Sequence, residues 1–215
     1  MTPFLIVVTV LNYLLWTACY VAAIVKGFRS RSYALPMSAV ALSFAWETLF
    51  SFHFPYTQWY IHYLNLLWFF PDALIMYLIL RHGPAEQPIP ALKELFRPLT
   101  VFSYLAGLVI LYRFTLDMGD PTGTLSALLI NIVYSVAYFL MVVARPAAKG
   151  LSFTVTWTKA LGTLGTLWVL HAAYPTIGDH GFRFVEATAV VSVPFDALAI
   201  ILHARAIRRH RLGWA

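Results

Sequence analysis

The sequence predicts an all-α integral membrane protein in which residues 1–215 form one domain, a bundle of seven transmembrane helices. Of the 215 residues, 60% are hydrophobic and 11% are charged, and the mean hydropathy is +0.74, outside the range of ordinary soluble domains. Hydrophobic segments close to the length of about 20 residues that crosses a bilayer also recur along the chain. They cover residues 4–25, 34–54, 59–80, 98–116, 123–144, 152–173 and 184–204.

The distribution of cations indicates how these segments are oriented. Most of the 15 Lys and Arg residues flank segment ends on one side of the bundle, from Lys26 to the arginines of the C-terminal tail. The positive-inside rule therefore predicts an outside N-terminus and a cytoplasmic C-terminus. The net charge of +6 then reflects orientation and contact with lipid headgroups, so we expect the lipid bilayer as a partner and no nucleic acid.

The second segment carries an acid deep in the predicted membrane. Counted from Leu35, Glu47 lies about 18 Å inside a hydrocarbon layer about 30 Å thick. Phe44 and Phe50 share its helix face at three-residue steps, and Trp46 precedes it. An ionisable side chain at the bilayer centre costs about 2.5 kcal/mol or more and usually marks function. Glu47 is therefore a candidate catalytic residue.

The last segment carries a second deep acid, Asp196, two residues after Pro194. Proline frees a backbone carbonyl and allows a bend, which can line a cavity. Counted from Phe184, Asp196 also lies about 18 Å into the layer. Because the two segments enter from opposite sides, we expect Asp196 and Glu47 to meet across one pocket.

Three other polar residues have alternative interpretations. Asp72, after Pro71, either bonds structurally to a freed carbonyl or a neighbouring helix, or belongs to the site. Lys159 either extends to the membrane surface, pairs structurally, or belongs to the site. Asn12 either bonds another helix or contacts substrate.

The sequence LDMGDPTG contains Asp117 and Asp120, which resemble half of a metal-diphosphate motif. A second, adjacent aspartate is missing, and Gly119 and Pro121 favour a turn. The seven histidines have no convincing metal-ligand spacing. We therefore expect no metal and no cofactor.

Buried acids among many aromatic residues favour one type of chemistry. A protonated carboxyl group in a dry cavity is a Brønsted acid for a weak base such as an alkene or epoxide. Aromatic faces stabilise the resulting carbocation by cation–π attraction and exclude water that would quench it. Aromatic residues make up 16% of this chain, so the combination suits proton-initiated cyclisation of a polyene.

Several ordered motifs resemble those of one family: NYLLWTACY, ALPMSAVALSFAWE, WFFPD, NIVYS, ARPAAKGLS, TKALGTLGT and PFDALAI. The chain resembles the small heptahelical integral-membrane terpene cyclases of fungal meroterpenoid and indole-diterpene pathways and their bacterial homologues acting on prenylated indoles. The resemblance implies that Glu47 and Asp196 are essential acids. It extends to five further matched positions: Trp46, Asp72, Asn131, Tyr134 and Lys159. The chain departs from the fungal pattern at Leu151 and Phe44.

Together these observations predict metal-independent, acid-initiated cyclisation of a farnesyl-type chain, as alkene or epoxide, on an aromatic or indole head group. Glu47 donates the proton and Asp196 shares or replenishes it, or the two roles are reversed. Residues expected to contact the lipophilic prenylated substrate are Phe44, Trp46, Phe50, Trp68, Asp72, Asn131, Tyr134 and Lys159. An upstream prenyltransferase or epoxidase would supply this substrate. The expected location is the bacterial plasma membrane, or the endoplasmic reticulum for a fungal source.

Seven helices, an outside N-terminus, Asp72 and Lys159 also invite comparison with a different class, a proton-coupled transporter or a rhodopsin-like receptor. A retinal Schiff base would be expected on the seventh segment, which carries Asp196 and no lysine. A purely structural membrane subunit is a third alternative, but it leaves the buried acids unexplained.

Overall fold

The computed structural model describes residues 3–54, 59–145, 149–172 and 174–210. Within these ranges the secondary structure is helical, with no strand. The α-helices are α1 (Pro3–Ser30), α2 (Met37–Phe52), α3 (Trp59–His82), α4 (Pro90–Asp117), α5 (Thr124–Ala144), α6 (Phe153–Ala172) and α7 (Tyr174–His210), and a short 3-10 helix (Gly83–Glu86) follows α3. Each predicted hydrophobic segment corresponds to one of these helices, which confirms the all-α class.

The helices differ in how well they match a membrane span. Among the described residues, α1, α3, α4, α5 and α7 contain stretches long and apolar enough to cross a bilayer. Helix α2 is apolar but has only 16 residues. Large apolar side chains such as Phe102, Val109 and Val190 are exposed, as expected where lipid tails replace water. The protein is an integral membrane protein, while seven full spans and the orientation of the termini stay predictions.

Helix α2 occupies an interior position in the bundle. It packs against α3, α4 and α5, while α1 packs against α3 and α6. Helix α7 packs against α5 and α6, which lie between it and the rest of the bundle. This arrangement decides which helices can contribute side chains to the interior.

The turn between α4 and α5 explains the two aspartates of LDMGDPTG. Asp120 accepts hydrogen bonds from the backbone N–H groups of Leu125 and Ser126 at 3.1 and 2.9 Å, so it satisfies free donors at the start of α5. Asp117 instead forms an exposed ion pair with Arg113 at 2.8 Å. The two carboxylates have separate local partners, which confirms the prediction of a turn.

An ion pair ties the ends of three segments together on the side of the basic loops. Arg145, which follows α5, lies 2.6 Å from the carboxylate of Glu86 in the 3-10 helix. Its guanidinium also donates to the carbonyl of Tyr33 at 2.8 Å and lies 4.3 Å from the centre of that ring. These contacts fasten the α1–α2 and α3–α4 connections to α5.

Candidate active site

A cavity of about 250 Å³ lies between α1, α2, α3, α5 and α6. Its aromatic lining consists of Tyr13, Trp16, Tyr20, Trp46, Trp68 and Tyr134. Its polar lining consists of Thr9, Asn12, Ser43, Glu47, Asn131 and Thr166. The remaining lining is aliphatic, so a long hydrocarbon chain would find apolar contacts here and a small number of polar groups to orient it.

The cavity lies nearer to one end of the bundle. Its lining comes from residues 9–20 of α1, residues 127–134 of α5 and residues 166–170 of α6. These stretches are close to the start of α1, the start of α5 and the end of α6, which lie on the side opposite the basic loops.

Glu47 lines this cavity and is only 3% exposed. Its Oε2 atom is buried and makes no hydrogen bond to any described residue. Among the described side chains that line the cavity, Glu47 has the only carboxyl group. A buried carboxyl group without a cation beside it is suited to carry a proton, because an unpaired buried charge is costly.

Trp46, the neighbour of Glu47, is held in a fixed position by α5. Its indole N–H lies 3.1 Å from the carbonyl of Gly123 and 3.0 Å from the hydroxyl of Ser126. Its ring lies against that of Phe50 at a tilt of 31°, with 4.7 Å between ring centres. A Cβ at Gly123 would lie 2.7 Å from both rings, so glycine allows this close approach. The indole therefore forms a rigid wall beside the acid.

A chain of hydrogen bonds leaves the cavity toward α3. The hydroxyl of Ser43 donates to Oδ2 of Asp72 at 2.8 Å, and the hydroxyl of Tyr20 lies 3.3 Å from Ser43 Oγ. Tyr20 and Ser43 line the cavity, whereas Asp72 is fully buried behind them. The bond from Asp72 to a neighbouring helix agrees with one of the two interpretations of this residue.

Small residues of α6 bring α1 close to the cavity. A Cβ at Gly162 would lie 2.9 Å from the indole nitrogen of Trp16, and one at Gly165 would lie 2.7 Å from Oδ1 of Asn12. The amide of Asn12 donates to the hydroxyl of Thr166 at 3.1 Å. Asn12 thus makes the predicted bond between helices and also lines the cavity.

Asp196 lies in a different environment from Glu47. The ammonium of Lys159 is 2.5 Å from Oδ1 of Asp196 and 2.7 Å from the hydroxyl of Ser135. Lys159 is fully buried and paired with Asp196, so it does not extend to the membrane surface.

Neither member of this pair lines the cavity. The expected meeting of Asp196 with Glu47 across one pocket is therefore not what the structure shows. The physical reason is that α7 packs on α5 and α6, behind the cavity wall.

The other predicted substrate contacts divide into two groups. Trp46, Trp68, Asn131 and Tyr134 line the cavity. Phe44 packs between Phe69 and Tyr104, with ring centres 5.2 and 5.0 Å away, and so faces α3 and α4. The structure therefore brings Glu47 together with the first group, and places Phe44, Phe50, Asp72, Lys159 and Asp196 outside the lining.

Sequence reasoning did not assign Tyr13, Trp16, Tyr20 and Ser43 to the site. The available signal was the shared face of Asn12 and Trp16 on α1, together with the position of Ser43 one helical turn before Glu47. Within the described residues, no group of three or more His, Cys, Asp or Glu side chains is placed to hold a metal ion.

Comparison with known proteins identifies relatives of this chain. Terpene cyclase macJ of Penicillium terrestre is 24% identical over 208 residues, covering 86% of this chain and 80% of the relative. Terpene cyclase ascF of Acremonium egyptiacum is 29% identical over 202 residues, covering 81% and 70%. Terpene cyclase pyr4 of Aspergillus fumigatus is 22% identical over 152 residues, covering 69% and 62%.

No solved structure matches the chain. The family described as Pyr4-like transmembrane terpene cyclases matches residues 2–192, nearly the whole chain, which confirms the resemblance found in the sequence motifs. The matched region includes Glu47 and the cavity lining, and it ends before Asp196. The chain belongs to the family of Pyr4-like transmembrane terpene cyclases.

Proposed function

We propose that this protein is a membrane enzyme that cyclises the farnesyl-type chain of a lipophilic substrate by proton transfer from Glu47. One observation carries the proposal: the carboxyl group of Glu47, with Oε2 unpaired among the described residues, lines a cavity that six aromatic side chains also line. Family membership supports terpene cyclisation as the general reaction. The proton-initiated mechanism is our own inference from this geometry.

In this proposal, the neutral carboxyl group of Glu47 protonates the terminal alkene, or opens a terminal epoxide by protonating its oxygen. The π electrons of the next double bond then form a carbon–carbon bond to the cationic carbon. Each ring closure moves the positive charge along the chain. The reaction is an isomerisation, because the final loss of a proton balances the first transfer.

The aromatic walls supply what this cation requires. The rings of Trp16, Trp46 and Trp68 line the cavity, and a cation over an aromatic face gains about 0.5–2 kcal/mol per contact, the larger values when water is excluded. Tyr13 stacks on Trp68 with ring centres 4.8 Å apart, which restricts the orientation of that indole. Fixed aromatic faces would also define the fold of the substrate chain before reaction.

Asp196 has a supporting role in this proposal. Its carboxylate is held by Lys159, which also binds Ser135 of α5. Asn131, one helical turn from Ser135, lines the cavity. The pair would therefore position the α5 wall, and replenishment of the Glu47 proton by Asp196 is not required.

The head group of the substrate would lie near Asn12 and Thr9 of α1 and Thr166 of α6, which line the cavity. Their amide and hydroxyl groups suit an indole or another aromatic group with a polar substituent. A prenyltransferase must attach the chain beforehand, and an epoxidase is needed if the epoxide is the true substrate.

The test uses membranes containing the protein, incubated with farnesylated indoles and with their terminal epoxides. We expect a product of unchanged mass and altered chromatographic retention. Glu47→Gln should abolish this product, while Glu186→Gln, which changes an exposed acid of α7, should leave it unaffected. Full turnover by the Glu47→Gln variant would disprove the acid role.

The alternative class is examined with the same preparation. Visible absorbance after addition of retinal, or substrate uptake by proteoliposomes without chemical conversion, would support a receptor or a transporter. The absence of Lys159 from the cavity lining makes a Schiff base inside this cavity unfavourable.

A further inference from the structure

We propose that Tyr20, Ser43 and Asp72 form a proton-accepting relay, which takes the proton that the last carbocation loses. This inference rests on the proposed cyclisation and deepens it, because it assigns the step that ends the reaction and selects the product. Tyr20 and Ser43 would contact the reacting chain. Asp72 would act through them as a positioning residue.

The relay is a continuous set of hydrogen bonds across three helices. Tyr20 of α1 and Ser43 of α2 line the cavity. Their oxygen atoms are 3.3 Å apart, and Ser43 Oγ is 2.8 Å from Oδ2 of Asp72 in α3. All three residues are buried, Asp72 completely. These hydrogen bonds therefore connect the cavity with the carboxylate of Asp72, which the substrate does not contact.

The donors and acceptors define the direction in which a proton moves along these hydrogen bonds. Because a hydroxyl group has one proton, Ser43 uses it to donate to Asp72 and accepts from Tyr20. The order is therefore Tyr20 to Ser43 to Asp72. A proton entering at the Tyr20 oxygen moves the next proton to Ser43 and the last one to Asp72.

The chemistry of the final step fits this order. The carbon–hydrogen bond next to the cationic carbon breaks, and its electron pair forms the new carbon–carbon double bond. The proton passes to the oxygen of Tyr20 as Asp72 gains the proton of Ser43. Glu47 has given one proton and Asp72 has received one, so no oxidant, reductant or co-reactant is needed.

The resting state returns when the proton moves from Asp72 to Glu47. Ser43 and Glu47 lie four residues apart on α2, so their side chains are neighbours on one helix face. The donor and the acceptor of the reaction are therefore separated by one helical turn. A substrate chain folded in the cavity could start at Glu47 and finish near Tyr20.

Other hydroxyl groups of the cavity lack this connection. Thr166 donates to the carbonyl of Gly162 at 3.0 Å, and Thr9 donates to that of Leu5 at 2.8 Å. The hydroxyl of Tyr134 lies beside Tyr20 and Ser43 and makes no direct hydrogen bond to a carboxylate among the described residues. Ser43 is bonded to Asp72 directly and Tyr20 is connected through Ser43, so these two cavity hydroxyls are the favoured path for the proton, with Tyr20 at its start.

The experiment compares Tyr20→Phe, Ser43→Ala and Asp72→Asn with wild-type protein on the farnesylated substrates. Each variant leaves Glu47 in place, so we expect substrate to be consumed. The single wild-type product should be lost in favour of a mixture of double-bond isomers and water adducts, because the final cation survives longer. Ser51→Ala is the matched control, since Ser51 is a buried serine of α2 that does not line the cavity.

A purely structural role would lower the rate without changing the ratio of products, so the product ratio is the decisive measurement. If Asp72→Asn does not fold, Tyr20→Phe removes a single oxygen and serves as the test. Wild-type product in an unchanged ratio from Tyr20→Phe and Ser43→Ala would overturn the relay and leave the proposed function standing. Absence of any conversion by wild-type protein would overturn the proposed function, and the relay with it.

Discussion

The ammonium of Lys159 lies 2.5 Å from the carboxylate of Asp196, at a point where three helices meet and neither side chain reaches the cavity. Helix α6 contributes the cation and α7 the acid, while Ser135 of α5 accepts a further hydrogen bond from Lys159. In the sequence, each of these two residues is a charged side chain inside a predicted membrane span. Their closeness makes them a structural unit of the α5, α6 and α7 interface.

Replacing Lys159 by Met should destabilise the protein strongly. The variant leaves the buried carboxylate of Asp196 without its cation, and breaking a buried pair costs about 3–5 kcal/mol. Replacing both members, as in Lys159→Met with Asp196→Leu, removes both charges and should restore most of the loss. The measurement is thermal unfolding in detergent.

The exposed pair Arg113 and Asp117 supplies the control for this comparison. Its side chains are 62% and 57% exposed, and such pairs contribute about 0–1 kcal/mol. Arg113→Gln should therefore leave the unfolding temperature nearly unchanged. An equal effect of Arg113→Gln and Lys159→Met would contradict the assignment of Lys159 and Asp196 as a stabilising buried pair.

The difference between Glu47 and Asp196 shows what sequence reasoning can and cannot reach. Segment length and hydropathy predict the helices, and counting at 1.5 Å per residue predicts the depth of a side chain. Depth does not say which neighbours a helix face meets. Two acids at similar depth were expected to share a pocket, but α5 and α6 lie between α7 and the interior.

The same limit explains the positions of Phe44 and Tyr20. On α2 the residues Phe44 and Glu47 are three positions apart and share a broad face, yet the first contacts α4 and the second lines the cavity. Tyr20 approaches Ser43 because α1 and α2 both pack on α3, a long-range relationship that local spacing does not contain. The observed helix boundaries also differ from the predicted ones, since α7 has 37 residues and extends beyond the hydrophobic segment 184–204.

Replacing Glu47 by Gln should lower the rate of product formation by about 10²–10⁴-fold, the usual contribution of a general acid. Glutamine has nearly the same shape and cannot release a proton to an alkene. Because Oε2 has no hydrogen-bond partner among the described residues, the substitution breaks no contact there, and the unfolding temperature should stay close to the wild-type value. A large drop in stability with unchanged turnover per folded molecule would instead indicate a structural role.

Replacing Asp120 by Ala should reduce stability without changing the identity of the product. Asp120 accepts the backbone N–H groups of Leu125 and Ser126, and removal of such a cap costs about 0.5–2 kcal/mol. If Asp120 instead held a metal ion required for turnover, the folded variant would be inactive and a chelator would abolish wild-type activity. Assays with and without the chelator EDTA, normalised to folded protein, separate these outcomes.

Replacing Gly162 by Ala should reshape the cavity through Trp16. The added Cβ would lie 2.9 Å from the indole nitrogen, so the ring must shift, and overpacking of this kind costs about 1–3 kcal/mol. Because Trp16 lines the cavity between α1 and α5, we expect the space available to the hydrocarbon chain to change. The ratio of the turnover of geranylated substrate to that of farnesylated substrate should therefore change.

Gly107→Ala is the matched control for the relative turnover of geranylated and farnesylated substrates. Its added Cβ would lie 3.1 Å from the Cβ of Ala45, at the contact between α4 and α2, and Gly107 does not line the cavity. This variant is expected to lose stability by packing alone, with the same preference between the two chain lengths as wild-type protein. A change in chain-length preference for Gly107→Ala equal to that for Gly162→Ala would mean that general loosening of the bundle, and not the position of Trp16, controls the substrate.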